Sequence, residues 1–214
     1  YDRGHPELKL SSSYDKRLGV CTLKIEQTQD KKSNREVFCF DLEIDVLDAK
    51  GKTQRVTIPV NERSTAYTFA CKTAPKSVVI DPDYSLLCSI SWTGKEAQSW
   101  LHQVAHAKGY LARKRAIAEL GKHLHKSAVR KALFDLAGNG DEFFALRAQA
   151  AQMLAKLGAE TRSELLTILD GLHARALRSV LPALGPDADE ETIEYLRNTI
   201  ETSSSEYVVA AALR

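Results

Sequence analysis

The sequence predicts an α+β multidomain chain, with an N-terminal antiparallel β-sandwich over residues 1–93 and a HEAT-like α-helical solenoid over 94–214. Hydropathy alternates with period two from Leu8 to about Trp92 and turns helical beyond Thr93-Gly94. Turn signals recur in the first half at intervals of about 8–12 residues. In the second half an Arg followed by small alanines and then leucines recurs. Arg113-Lys-Arg-Ala116-Ile-Ala118-Glu-Leu120 is echoed by Arg147-Ala-Gln-Ala150-Ala151-Gln-Met-Leu154. Weaker echoes run from Arg175 to Gly185 and from Tyr207 to Leu213. Spacings of about 27 to 34 residues suit two helices and two turns per repeat.

In Phe38-Cys-Phe40-Asp-Leu42-Glu-Ile44-Asp-Val46 the even positions are apolar, while Asp41, Glu43 and Asp45 face the other way. That pattern gives a strand one buried and one wet face. Cys21 to Glu26, Val56 to Val60 and Tyr67 to Cys71 repeat it, and a last short strand is expected from Leu86 to Ser91. Tyr14–Arg17, Asp30–Asn34, Asp48–Gly51 and Asn61–Ser64 read as turns, and Asp81-Pro82-Asp83 breaks the sheet. Helices are expected near Glu96–Ala107, Tyr110–His123, Ser127–Ala137, Glu142–Leu157, Arg162–Leu172, Ala174–Leu184, Asp189–Glu201 and from Ser205 onward. Ser127, Asp141, Thr161 and Asp189 are the N-cap candidates; Gly138-Asn-Gly140, Gly158 and Gly185-Pro186 are the stops. Alanines let neighbouring helices approach, and leucines fill the seam.

Formal net charge is +2, too small to imply a nucleic-acid or membrane partner, and no run of about 18 apolar residues encodes a membrane span. Tyr1-Asp-Arg-Gly lacks an initiator Met and a signal pattern, and Ala210-Ala-Ala-Leu-Arg214 stops inside an amphipathic run. The helical domain is therefore expected to be truncated, its last helix covered by a further layer. Cys21, Cys39, Cys71 and Cys88 have no CxxC spacing and read as packing thiols; the pairing of any disulfide stays open.

His102-Gln103-Val104-Ala105-His106 sets two imidazoles at i and i+4, but a zinc peptidase needs Glu after the first His. Gln103 cannot take a proton from water, and no third ligand follows. His123 and His125 point to different sides of a helix, and the Asp81–Asp83 carboxylates are explained by a turn. No nucleophile–base pair or phosphate loop is present, so no catalytic, cofactor-binding or metal residue is assigned. The one charge asymmetry is basic, from Lys108 to Lys131, and offers a docking patch of Arg113, Lys114, Arg115, Lys122, Lys126, Arg130 and Lys131. It contains Tyr110 but no aromatic ladder for bases, which speaks against nucleic acid. Asp187 to Glu206 is correspondingly acidic.

Gly4-His5-Pro6-Glu7-Leu8, Gln27-Thr28-Gln29, Val78-Val-Ile80-Asp81-Pro82-Asp83 with Leu87, Trp100-Leu101, and Asp141-Glu-Phe143-Phe144 leading into Arg147 occur in the order seen in one family. Together they resemble the region behind the catalytic domain of the gluzincin (aminopeptidase N family) zinc aminopeptidases. The resemblance implies an Ig-like spacer sandwich followed by helical repeats that curl over the active-site cleft. It also implies an upstream catalytic domain of the same polypeptide, holding zinc through HExxH and the substrate amine through a GAMEN-type motif. Neither motif occurs in this chain, so zinc is expected in that missing domain and the implied partners are that domain and its peptide substrates. A second reading is a protein-interaction scaffold from a catalytically inactive relative; a third is a DNA-binding solenoid.

Overall fold

The computed structural model describes residues 4–30 and 35–214, apart from the side chains of Glu160 and Asp187. The turn expected over Asp30–Asn34 lies almost wholly outside them, as do residues 1–3 and the Asp187 side chain of the acidic stretch. Among the described residues seven strands precede eight helices, so the chain is mixed α and β in the expected order. It divides into two compact units, Tyr1–Ala116 and Ile117–Arg214.

The first unit contains β1 (Glu7–Asp15), β2 (Val20–Gln27), β3 (Phe40–Leu47), β4 (Thr53–Val60), β5 (Ser64–Ala70), β6 (Ser77–Ile80) and β7 (Ser89–Trp92). They form a four-stranded sheet, β5-β2-β1-β7, and a three-stranded sheet, β4-β3-β6. Leu8, Leu10, Leu23 and Ile25 from one sheet share a core with Leu42, Ile44, Ile58, Val60 and Ile80 from the other. Each fully buried aliphatic side chain contributes about 1.5–3 kcal/mol, so the alternation legible in the sequence supplies most of this unit's cohesion.

Two expectations need correction. β7 runs parallel to β1, with Leu8 beside Ile90 and Leu10 beside Trp92, so the sheets are not antiparallel throughout. No hairpin dictates its direction, because the preceding strand, β6, belongs to the other sheet. β7 also starts at Ser89 rather than Leu86. Asp81, buried and at φ 44°, takes hydrogen bonds from Ser85 N and Oγ, each 2.9 Å, and from Leu86 N at 3.3 Å, which holds that segment in the turn.

The outer face of β3 is not simply wet. Arg55 stands opposite Asp45 in the ladder and binds it at 2.6 and 3.0 Å, reaches Glu43 at 3.0 Å and also pairs with Asp83. Asp45 is thereby buried with its charge compensated. Gln27 and Gln29, both fully buried, stitch the segment before β3 to β2. Gln27 donates to Phe38 O at 2.9 Å and accepts from Phe38 N at 2.9 Å, while Gln29 Nε2 donates to Gln27 Oε1 at 3.1 Å. Side-chain amides replace the ladder bonds this segment lacks.

α1 (Ala97–His106) and most of α2 (Tyr110–Leu120) also belong to the first unit. Lys95 anchors α1: its Nζ lies 3.8 Å from the Trp100 ring centroid and 4.9 Å from that of Trp92, and donates to Val78 O at 2.8 Å. The cation is held between aromatic faces and a carbonyl.

The second unit holds α3 (Ser127–Gly138), α4 (Phe144–Ala155), α5 (Arg162–Leu169), α6 (Ala174–Val180), α7 (Glu190–Thr202) and α8 (Glu206–Ala212). α4 packs on α3 and α6, α6 on α8, and α5 on α7. Ala150, Ala151 and Leu154 are fully buried at these seams.

Of the expected N-caps, Asp189 accepts from Thr192 N at 2.9 Å, whereas the Thr161 hydroxyl, at the cap position of α5, donates back to Leu154 O at 3.5 Å and makes no capping bond. Lys126 rather than Ser127 holds the cap position of α3, without a capping bond, and Phe143 rather than Asp141 precedes α4. The Asn139 side chain accepts from Asp141 N at 3.1 Å and the Glu142 carboxylate from Phe143 N at 2.8 Å, so local turns delay the helix. α6 ends at Val180, earlier than expected, because Pro182 opens a short 3-10 turn, Leu181–Ala183.

Candidate functional site

Helix α1 places His102 and His106 side by side, their ring centroids 4.3 Å apart. His102 Nε2 donates to Asp48 O at 2.7 Å, so one imidazole is committed to the turn between β3 and β4. His106 stands on Gly51, where an added Cβ would come within 2.4 Å of Nδ1; φ at Gly51 is also +77°, so only glycine suits the position. Between the two histidines Gln103 is buried, accepting from Lys95 Nζ at 2.6 Å and donating to Ala112 O at 2.8 Å. The position where a zinc peptidase carries its general base is thus a structural bridge. Among the described residues no group of three or more His, Cys, Asp or Glu is arranged to hold a metal. The residues of α1 do not fit a zinc centre.

Burial first, then His106 and Lys76, push the His102 pKa below its ordinary value against the opposing pull of the Asp48 carbonyl. Below a pH of about 6.5 the unfolded chain takes up a proton that folded His102 resists, so stability is lost as pH falls through that range. The thermal midpoint should fall more between pH 7 and pH 5 for the wild type than for His102→Gln, which does not titrate. Equal falls would contradict this role.

The seven basic residues serve several partners. Arg113 Nε donates to Val104 O at 2.7 Å, and Arg115 donates to Ile80 O at 2.8 Å while its guanidinium lies 4.3 Å from the Tyr84 ring centroid. Lys114 is exposed, 5.9 Å from the Tyr110 ring. In the second unit Lys122 pairs with Glu119 at 2.6 Å and Lys131 with Asp135 at 3.0 Å; Arg130 donates to Leu124 O at 3.1 Å, and Lys126 is exposed. The three arginines therefore brace main-chain carbonyls, and the four lysines present the outward charge.

The role of Arg147 was not derivable from charge. It is 7% exposed and donates from Nε to Ala137 O at 2.9 Å and from its terminal nitrogen to Gly171 O at 3.1 Å. Those carbonyls belong to the last turn of α3 and the segment after α5, where backbone acceptors lack helical partners. Arg113 does the same for the last turn of α1, so the recurring Arg is a device for finishing the preceding helix. The recurrence was the signal, although at the third echo Arg175 is exposed and its backbone N donates to His173 Nδ1 at 3.1 Å. Gly140, Glu142, Phe144, Arg147, His173 and Arg175 line an open cavity of about 460 Å³ with no nucleophile–base pair. No described helix is long and apolar enough to cross a membrane.

No protein-family model matches the chain, and no curated protein matches it significantly. Among solved structures it is similar to Legionella pneumophila aminopeptidase A, crystallised in complex with aspartic acid, with a TM-score of 0.70 and 15% identity. The similarity covers 98% of this chain and 31% of that one. The fold is thus aminopeptidase-like, and the chain spans about a third of the length of that structure.

Proposed function

We propose that this chain is a non-catalytic portion of a zinc aminopeptidase-type protein, in which the sandwich acts as spacer and the helices, stacked as HEAT-like repeats, wall the active-site cleft and control peptide access. The observation that carries this reading is the likeness of nearly the whole chain to a segment of an aminopeptidase structure. The packing of α4 on α6 and α6 on α8, with α5 on α7, supports stacked helical hairpins. Arg113 and Arg147, each finishing the helix before its own, support a repeated unit. The commitment of His102 and Gln103 to main-chain and lysine partners agrees with chemistry housed elsewhere.

The mechanism is geometric. A wall of helices admits extended peptides and excludes folded proteins, and movement of such a wall tunes entry and release. The partners are a catalytic domain of the same polypeptide, which would hold the zinc, and its peptide substrates. In the polypeptide joining this chain to an HExxH-bearing domain, removing residues 117–214 should raise hydrolysis of bulky substrates relative to a single aminoacyl anilide. Unchanged size selectivity would contradict the role.

A further inference from the structure

Four cysteines offer six possible single disulfides, and the fold favours one of them. Cys39 is exposed ahead of β3, and Cys88 is half-buried near Asp81 and Arg115. Cys21 and Cys71 face each other inside the sandwich. In the β2–β5 ladder Cys21 stands opposite Phe69, and Cys71, two residues on, points to the same face; its backbone N donates to Gly19 O at 2.8 Å. Both side chains belong to the one core between the sheets, and burial together with the neighbouring Cys71 thiol raises the Cys21 pKa.

We propose that Cys21 and Cys71 are a disulfide-forming pair, closed by exchange with a small anionic disulfide such as oxidised glutathione. Diagonal neighbours in a ladder lie about 7–8 Å apart, and disulfide Cα atoms about 4.4–6.8 Å. Closure thus requires a small inward shift of Cys71. Cys71 can move, because it lies just past the end of β5, at the edge of its sheet. It also lines a cavity of about 430 Å³ whose walls set Lys52 and Lys72 against the single acid Asp48, a net positive lining that attracts the carboxylates of the oxidant. Cys21 lines a separate cavity of about 210 Å³.

Cys71 loses its proton to solvent, and its thiolate attacks one sulfur of the oxidant, releasing one thiolate and leaving a mixed disulfide. The Cys21 thiolate then attacks the Cys71 sulfur and expels the second small thiol. Two protein thiols and one small disulfide become one protein disulfide and two small thiols. Burial pushes both thiols up, Cys21 to about 11, so the exchange is slow near neutrality and quickens as pH rises. The bond would tie edge strand β5 to β2 and enclose β3 and β4 in its loop.

Native protein incubated with oxidised glutathione at mildly alkaline pH should lose two hydrogens by intact mass. Non-reducing peptide mapping should join the Cys21 and Cys71 peptides. The thermal midpoint should rise by on the order of 10 °C and fall back on reduction. A Cys39→Ser/Cys88→Ser double variant should behave as wild type, whereas Cys71→Ser should show neither change. Four free thiols after treatment, a stable glutathione adduct on Cys21 or Cys71, or a cross-link at another pair would overturn the proposal.

Discussion

Ala151→Arg should destabilise the second unit by about 2 kcal/mol or more, since a large charged side chain must enter a packed helix seam. Ala151 is fully buried on α4, the helix that meets both α3 and α6. The arginine can escape only if α4 separates from a neighbour, which forfeits the burial that holds these short helices. Calorimetry should show a transition lowered by roughly 8 °C or more, while Gln152→Arg, at a partly exposed neighbouring position, should shift far less. Matching midpoints for the two variants would contradict the packing described for α4.

Arg147→Ala should cost about 3 kcal/mol, because it strands the Ala137 and Gly171 carbonyls and removes a packed side chain together. Arg147→Lys should recover only part of the loss, as one ammonium cannot reproduce two donors fixed in a planar fork. Denaturant unfolding of the three proteins measures this directly. Full recovery in the lysine variant would show that charge or bulk, rather than the forked geometry, is what the site needs.

What the sequence revealed follows from which forces act locally. Period-two burial is written residue by residue, so Leu42, Ile44 and Val46 were legible as one face. Helix existence was equally legible from Ala116 and Leu120 or from Ala150, Ala151 and Leu154, because each face is covered along its own length. Partners chosen across long separations were not. The parallel register of β7 on β1 joins residues 82 positions apart, such as Leu8 and Ile90, and no local pattern encodes it. Asp45 read as a wet-face acid because its partner Arg55 comes from the next strand. Gln27 and Gln29 stood out within a motif, but their role depends on Phe38 and Glu36, which the fold brings beneath them.

The site was legible mainly by exclusion. Gln103 in place of a carboxylate already argued against a zinc peptidase helix, and its bonds to Lys95 and Ala112 now show what the residue does. The basic stretch looked uniform because composition cannot separate an arginine that finishes a helix, such as Arg113, from a lysine facing water, such as Lys126.

Zinc content and aminoacyl-anilide hydrolysis, measured together on the purified chain, decide whether the chemistry lies elsewhere. No stoichiometric zinc should remain after exposure to the metal and dialysis, and hydrolysis should not exceed that of buffer. One bound zinc per chain, with hydrolysis that His102→Ala abolishes, would place a catalytic centre in this chain instead.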